Sequence, residues 1–169
     1  MDFQFRKGTP EDAETFIRFL DEVKAAMVQK DWFYLDPPKA VHSMTQEGTL
    51  QFWMAFHEDR LAGVFSILIP GLHPYNYGYD LGFREEELLQ VVHMDTAAVH
   101  PDFRGHGLQG RMVRLAEQEL SGKGKRILLS TVHPENSFSL NNMRAQGYEA
   151  QKRVGKYGSE RLILPKEIF

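Results

Sequence analysis

The chain has 169 residues, of which 42% are hydrophobic and 25% are charged, and this size and composition predict a single globular domain over residues 1–169. It contains no cysteine, which excludes disulfides, thiolate metal ligands and a cysteine nucleophile. The formal charge of −3 lacks the basic excess of nucleic-acid-binding proteins, and neither a secretory pattern nor a long apolar run is present, so we expect a cytoplasmic protein with no nucleic-acid or membrane partner.

The first third of the chain predicts one strand and two helices. Two phenylalanines alternate with a polar residue at positions 3–5, as in a short strand. Thr9 is a suitable N-cap for a helix whose first turn contains Pro10. The apolar stripe of this helix comprises Ala13, Phe16, Ile17, Leu20, Val23 and Met27. Two prolines end the aromatic segment 32–38, and a shorter helix is predicted over residues 39–46.

The middle of the chain predicts an antiparallel hairpin, a connection without an assigned structure, and a further strand. Strand-like residues occupy positions 50–56 and 61–69, and the polar turn 57–60 lies between them. Residues 71–80 are rich in glycine and tyrosine and receive no assignment. Strand character returns over residues 88–99.

The second half of the chain predicts a parallel crossover. A helical stripe covers residues 108–120, two glycines follow it, and residues 126–132 form an apolar run typical of a buried parallel strand. Together with the strand before the helix, this order predicts a right-handed strand–helix–strand crossover. The remaining predicted elements are a helix over residues 137–145 and strands over residues 148–154 and 161–164.

A glycine-rich loop within this crossover is suited to hold phosphate. Glycines at positions 105, 107 and 110 leave backbone N–H groups able to converge on an anion, and the positive end of the helix dipole adds attraction. The pattern Gly105-x-Gly107-x-x-Gly110 matches the dinucleotide-binding fingerprint, but five residues separate it from the strand and the next strand does not end in an acidic residue. A Walker A loop would need lysine and a hydroxyl where Arg111 and Met112 stand.

A third family accounts for the loop and for its neighbours. The motif Arg104-x-x-Gly107-x-Gln109 resembles the Arg/Gln-x-x-Gly-x-Gly/Ala signature of the GNAT superfamily of acyl-CoA-dependent N-acyltransferases, with Gln109 where glycine or alanine is usual. Residues 95–101 resemble the family's fourth strand, and residues 133–140 resemble the exit of its fifth strand. The resemblance implies an α/β fold with a mixed, mostly antiparallel seven-stranded sheet, helices on both faces, and a splay between strands four and five.

The resemblance also implies acetyl-CoA as co-substrate and indicates which residues bind it. The backbone of Ala97, Ala98 and Val99 would pair with the pantetheine arm, and the N–H at Val99 would polarise the thioester carbonyl. The residues around the pyrophosphate would be Arg104, Gly105, His106, Gly107, Leu108, Gln109 and Gly110. Asn136 and Ser139 would contact the cofactor; a helix N-cap at Asn136 with Ser139 in the first turn is the alternative, and both roles are compatible.

Transfer to an amine requires a base. An alkylammonium has a pKa of about 10, and the nitrogen must lose a proton before it attacks the thioester. Asp95 is the best-placed candidate, with substrate binding or a structural ion pair as its alternative role. His93 and the acidic cluster 85–87 are rivals, and a solvated charged turn is the simpler interpretation of the cluster.

The proton donor for the departing thiolate is not assigned by the sequence. In the family it is often a tyrosine seven positions after the asparagine, and here that position is Met143. Tyr148, Tyr157, a tyrosine of segment 75–79, or water would take its place. Aromatic residues of segments 32–34 and 75–79 would either line an acceptor pocket or plug the ends of the sheet. The histidines lack metal-ligand spacing, so no metal site is predicted.

These observations predict an acetyl-CoA-dependent N-acetyltransferase that acts on a primary amine by direct attack in a ternary complex. The absence of cysteine favours direct transfer over a cysteinyl intermediate. The acceptor would be a small-molecule or peptide amine. The alternatives are a coenzyme-A-binding module of the same fold that is non-catalytic, which Met143 favours, or an enzyme that transfers a different acyl group. A homodimer stays open, because the sequence does not determine the oligomeric state.

Overall fold

The computed structural model describes residues Met1–Phe169 as seven strands and five α-helices. The helices are α1 (Ala13–Ala25), α2 (Pro38–Glu47), α3 (Glu85–Leu88), α4 (Leu108–Leu120) and α5 (Ser137–Ala145). The strands are β1 (Gln4–Lys7), β2 (Leu50–His57), β3 (Arg60–Leu68), β4 (Val91–Val99), β5 (Ile127–Val132), β6 (Lys152–Lys156) and β7 (Ser159–Glu167). Every predicted element has a counterpart, and α3 is an addition. None of the helices combines the length and the apolar character that crossing a bilayer requires.

The strands form one mixed, mostly antiparallel sheet in the order β1-β2-β3-β4-β5-β7-β6. β1 pairs antiparallel with β2, and β7 pairs antiparallel with both β5 and β6. β4 and β5 run parallel and are connected through α4, as a strand–helix–strand crossover requires. The predicted fold class is confirmed.

The parallel pair is shorter than the two strands that make it. Its register runs from Val91 opposite Ile127 to Met94 opposite Ser130. β4 continues beyond this register to Val99, and β5 continues to Val132, with β7 paired along the whole of its other side. The last residues of β4 are therefore outside the β4–β5 register, which is the arrangement expected where two strands splay apart.

The chain divides into two compact units. The first contains Met1–Ile67 and Thr96–Ala116, and the second contains Leu68–Asp95 and Glu117–Phe169. The single domain expected over residues 1–169 stays a prediction.

Each unit has its own apolar core. In the first unit, Phe16 of α1 stacks on Phe52 of β2 with ring centroids 4.5 Å apart. The same ring of Phe52 fills the space that a side chain at Gly8 would occupy, so the chain between β1 and α1 passes directly over it. In the second unit, the core cluster comprises Tyr77, Val91, Ile127, Leu129 and Ile163. Ile127 and Leu129 lie two apart on β5 and so share one face of that strand, as the period of a strand requires.

The start of α1 follows the predicted cap with one difference. The backbone N–H of Thr9 donates to Asp12 Oδ2 at 2.9 Å, and residues Pro10–Asp12 form a 3₁₀ turn, so the α-helix begins at Ala13. The guanidinium of Arg6 donates two hydrogen bonds to the Asp12 carboxylate, at 2.8 and 2.9 Å. These bonds hold the pKa of Asp12 well below its usual range.

Two predicted strands begin later than expected, and the last strand, predicted over residues 161–164, is longer at both ends (Ser159–Glu167). The strand expected over residues 88–99 begins at Val91, because Leu88 is the last residue of α3. The side chain of Glu87 accepts a hydrogen bond from the N–H of Arg84 at 2.9 Å and so closes the first turn of that helix. The strand expected over residues 148–154 begins at Lys152, because Tyr148 is a core residue of the preceding segment.

Candidate functional site

The glycine-rich loop contains two backbone positions that favour glycine. Gly105 and Gly107 have φ angles of 83° and 68°, in the left-handed region where a side chain is strained. An added Cβ at either position would meet no atom within 4 Å, so the surface of the loop is open. Gly110, in contrast, lies inside α4 with ordinary helical backbone.

This loop presents a row of unused hydrogen-bond donors. The N–H groups of Gly105, His106, Gly107, Leu108 and Gly110 donate to no acceptor of the protein. The first internal bond of α4 runs from the N–H of Arg111 to the carbonyl oxygen of Gly107, at 3.1 Å. Unpaired N–H groups at the positive end of a 13-residue helix are suited to bind an anion such as phosphate.

The residues before the glycines hold the loop in place. Phe103 is buried, and the guanidinium of Arg60 lies 4.8 Å above the centre of its ring. Arg60 also donates to the carboxylate of Asp102 at 2.9 Å, and this hydrogen bond lowers the pKa of Asp102. His100 Nδ1 accepts the N–H of Asp102 at 3.1 Å, which closes the turn. The loop is thus anchored by one buried ring and by local hydrogen bonds.

Two cationic side chains accompany the row of donors. Arg104 is exposed, and its guanidinium makes no hydrogen bond or ion pair within the protein. Arg111 lies over the ring of Phe5 at 4.4 Å and is held there by this contact. The ring of His106 lies 5.3 Å from the ring of Phe3. Arg104 is therefore the cation of this loop that is available to a ligand.

The strand that leads into the loop carries Ala97, Ala98 and Val99. Ala98 is buried, and its neighbours are half-buried. A Cβ added at Gly63 of β3 would lie 3.2 Å from the carbonyl oxygen of Ala98 and 3.3 Å from Met112 Cε. Sequence reasoning missed Gly63, although a lone glycine inside a strand is a known sign of close backbone approach. The absence of a side chain at Gly63 thus allows the Ala98 carbonyl to lie close to β3.

Asn136 caps helix α5. Its Oδ1 accepts the N–H of Ser139 at 3.2 Å, so the predicted cap is present. The amide NH₂ of Asn136 makes no hydrogen bond to the protein. Because the cap uses only the oxygen of this side chain, two donors remain for a ligand, and the predicted contact of Asn136 and Ser139 with a cofactor stays a prediction.

His93 and the acidic cluster 85–87, the other candidates for the base, have different surroundings from Asp95. His93 is buried, and its Nε2 accepts the N–H of Tyr77 at 3.1 Å. The lone pair of Nε2 is therefore already occupied. Burial, with a further contribution from the charge of Lys156, also lowers the pKa of His93 to about 3. Asp95 lies two residues further along β4 and is half-buried. The acidic cluster 85–87 forms the first turn of α3, which agrees with its interpretation as a charged turn.

The tyrosines differ in what their hydroxyl groups can do. Tyr148 is buried, and its hydroxyl donates to Glu117 Oε1 at 3.2 Å; Glu117 in turn pairs with Lys166 at 2.7 Å. Burial, together with the neighbouring carboxylate, raises the pKa of Tyr148 far above its ordinary value. The ring of Tyr77 is also buried, whereas Tyr157 is 43% exposed.

The predicted site residues thus fall into two groups, each within one unit. The first unit brings together the strand end 97–99 and the loop 104–110. The second unit contains Asp95, His93, Asn136 and Ser139. Nowhere in the chain do three histidine or acidic side chains meet in a geometry that could hold a metal ion. Of the aromatic segment 32–34, Tyr34 is 46% exposed and the other two residues are half-buried.

Comparisons with known proteins agree with this geometry. The model of the acetyltransferase (GNAT) family matches residues 23–148. No curated protein sequence matches the chain. The chain is similar in structure to an acetyltransferase of the GNAT family from Streptococcus pneumoniae, with a TM-score of 0.73 and 16% identity over 99% of this chain and 100% of that one.

Two further solved structures share the fold. The ribosomal-protein-S18-alanine N-acetyltransferase from Escherichia coli has a TM-score of 0.73 at 13% identity, over 99% of this chain and 94% of that one. The protein yncA from Salmonella typhimurium, solved with its cofactor acetyl-CoA, has a TM-score of 0.70 at 12% identity, over the same shares of the two chains. At these identities the similarity concerns the fold.

Proposed function

Because the chain belongs to the acetyltransferase (GNAT) family, we propose that it transfers the acetyl group of acetyl-CoA to a primary amine by direct attack in a ternary complex. The observation that carries this proposal is the set of unpaired N–H groups of Gly105, His106, Gly107, Leu108 and Gly110 at the start of α4, together with the unpaired Arg104. This arrangement fits the pyrophosphate of coenzyme A, and the similar structure of yncA is solved with acetyl-CoA.

The residues at the end of β4 would hold the rest of the cofactor. Beyond Met94 this strand is outside the β4–β5 register, so backbone groups of Ala97, Ala98 and Val99 are candidates to pair with the pantetheine amides. The N–H of Val99 would donate to the thioester oxygen as negative charge develops there. Leu108, which is buried, would fix the helix start, and the N–H groups of His106, Gln109 and Gly110 would contact the pyrophosphate.

Asp95 would act as the base. It takes one proton from the substrate ammonium, the neutral nitrogen bonds to the acetyl carbon, and the carbon–sulfur bond breaks. The acylated nitrogen then loses its second proton, and the departing thiolate gains one, with water or a tyrosine passing the proton from the nitrogen to the sulfur. Tyr148 donates to Glu117, Tyr79 donates to Leu72 and Tyr77 is buried, so the proposed donor is Tyr75, Tyr157 or water. The cofactor supplies the activated acetyl group, and the protein supplies position, a base and an N–H donor.

The experiment has two stages. Calorimetric titration with acetyl-CoA, and separately with NAD, tests the loop; we expect binding of acetyl-CoA alone. Release of coenzyme A is then measured against a panel of alkylamines, polyamines and peptide amines. The peptide arm is included because the similar E. coli structure is a ribosomal-protein alanine N-acetyltransferase. Acetyl-CoA binding without amine-stimulated release would refute the enzymatic proposal and support the non-catalytic module. Release only with a longer acyl-CoA would support the different-acyl alternative.

Asp95 is tested separately. The substitution Asp95→Asn keeps the size and polarity of the side chain and removes the base, so we expect kcat/KM to fall on the order of 10²-fold or more while the affinity for acetyl-CoA is kept. An unchanged kcat/KM would leave Asp95 with a structural role. Size-exclusion chromatography tests whether the protein is a homodimer. We further propose that the protein is cytoplasmic and consists of a single domain.

A further inference from the structure

The segment 71–82, between β3 and α3, is held in one conformation by a buried amide. Asn76 is completely buried, and its Nδ2 donates to the carbonyl oxygens of Gly71 at 2.8 Å and Leu88 at 3.2 Å. Its Oδ1 accepts the N–H of Gly78 at 2.8 Å. A Cβ at Gly78 would lie 2.7 Å from Leu88 and 2.9 Å from Phe83, so the backbone here is packed tightly against side chains. These contacts within the protein give the segment a defined conformation without a ligand.

The side chain of His93, on β4, binds this segment through Tyr77. The ring of Tyr77 stacks on the imidazole with centroids 4.1 Å apart and planes 17° apart, and the N–H of Tyr77 donates to His93 Nε2. On the other side, Lys156 Nζ lies 5.5 Å above the Tyr77 ring and 2.9 Å from Asp80 Oδ2. Stacking, a hydrogen bond and an ion pair therefore fix the position of residues 77–80 relative to this strand.

The same contacts set the position of a partly exposed aromatic pair. Tyr75 is 37% exposed, and its ring meets the edge of His93 at 6.2 Å. The ring of His73 lies 3.9 Å from that of Tyr75, and His73 Nδ1 accepts the N–H of Tyr75 at 3.2 Å. Because side chains two apart in a strand share a face, Asp95 belongs to the face of β4 that His93 occupies. Tyr75 is therefore held, through His93, against the face of β4 on which Asp95 also lies.

We propose that Tyr75, supported by His73, is the surface on which the carbon skeleton of the acceptor packs while its nitrogen lies at Asp95. This inference rests on the proposed function. It makes the acceptor a primary amine with an apolar body, because an aromatic face gains most from burying methylene groups and also attracts the adjacent ammonium. Tyr75 is then a specificity-determining residue, and His93 is a positioning residue that acts through Tyr77 and Tyr75.

Tyr79 is a matched control for Tyr75. It belongs to the same segment and is 47% exposed. Its hydroxyl donates to the carbonyl oxygen of Leu72 at 2.7 Å, and its ring makes no contact with His93. Tyr79→Ala therefore removes an exposed tyrosine of the segment without removing the aromatic surface that Tyr75 and His73 form.

The test uses the linear primary amines from ethylamine to pentylamine with the full-length protein. Each added methylene that is buried on Tyr75 should raise kcat/KM about fourfold. We expect Tyr75→Ala to flatten this dependence with KM for acetyl-CoA unchanged, and Tyr75→Phe and Tyr79→Ala to keep it. His93→Leu, which removes the acceptor of the Tyr77 N–H, should raise KM for the amine about tenfold, and His93→Gln should restore part of the loss.

The outcomes separate the two proposals. If the wild-type protein releases no coenzyme A with any amine, the proposed function fails and this inference fails with it. If the wild-type protein acetylates amines without dependence on chain length, or if Tyr75→Ala keeps the wild-type dependence, only the inference is refuted. If His93→Leu and His93→Gln raise KM and lower kcat to the same extent, and both lower the melting temperature, His93 has a purely structural role.

Discussion

The buried imidazole of His93 predicts a specific loss of stability in mild acid. Its pKa is lowered from 6.5 to about 3, first by burial and second by the positive charge of Lys156. In the unfolded chain the ring titrates at its ordinary value. Between these two pKa values the unfolded state binds one more proton than the folded state, so the free energy of unfolding falls as the pH falls. The contribution of neutral His93 is complete above pH 6.5 and decreases below it.

The magnitude follows from the size of the shift. One proton corresponds to about 1.4 kcal/mol per pH unit, and the unfolded ring is half protonated at pH 6.5, so lowering the pH from 6.5 to 4.5 should cost about 2 kcal/mol of stability. This is a large fraction of the stability of a typical domain. Asp12 does not interfere in this window: its pKa is lowered by the hydrogen bonds from Arg6, and the stability it contributes is lost only as the pH falls below the ordinary value of 3.8.

Urea unfolding followed by tryptophan fluorescence at pH 7.0, 5.5 and 4.5 measures this effect. The free energy of the wild type minus that of His93→Gln removes the contributions of all other titrating groups, and we expect this difference to shrink steadily below pH 6.5. NMR of the folded wild-type protein gives a second readout, because the His93 ring should not titrate down to pH 4.5. A difference that is independent of pH, or a folded-state midpoint near 6.5, would refute the reasoning.

Three further predictions concern the cofactor side. Gly107→Ala forces a side chain into a left-handed backbone and should weaken acetyl-CoA binding about fivefold in calorimetry, whereas Gly155→Ala, at an open strand position without positive φ, should not. Gly63→Ala pushes on the carbonyl of Ala98 and should lower the free energy of unfolding by about 1–3 kcal/mol in urea while raising KM for acetyl-CoA; wild-type values for both would contradict the close approach. Asn136→Asp keeps the cap oxygen and loses the NH₂ donors, so it should retain the melting temperature and lose acetyl-CoA affinity, whereas Asn136→Ala should also lose about 1 kcal/mol of stability; equal affinity in Asn136→Asp and wild type would leave only the cap role.

The sequence was most informative where the structure depends on neighbours along the chain. Helix α4 and the glycine loop were predictable because apolar periodicity and backbone freedom at Gly105 and Gly107 are local properties. The cap of α5 by Asn136 was predictable for the same reason, since donor and acceptor lie three residues apart.

Tertiary contacts explain what sequence reasoning could not find. Tyr148 resembled a strand residue, but its partner Glu117 lies 31 positions away. Residues 71–80 have no assignment from the sequence, because the hydrogen bonds of Asn76 to Leu88 and of Tyr77 to His93 that hold them span 12 and 16 positions. A side chain with such a distant partner leaves no periodic trace in the sequence.

The donors of the glycine loop are backbone dipoles rather than charged side chains. Backbone N–H groups do not titrate, so their contribution to anion binding is the same at pH 5 and pH 9. They also act only at contact distance, whereas a cluster of lysines attracts polyanions over a Debye length. A chain with a net charge of −3 can therefore carry a local anion-binding loop, with one exposed arginine beside it, without the basic excess that a cluster of lysines would bring.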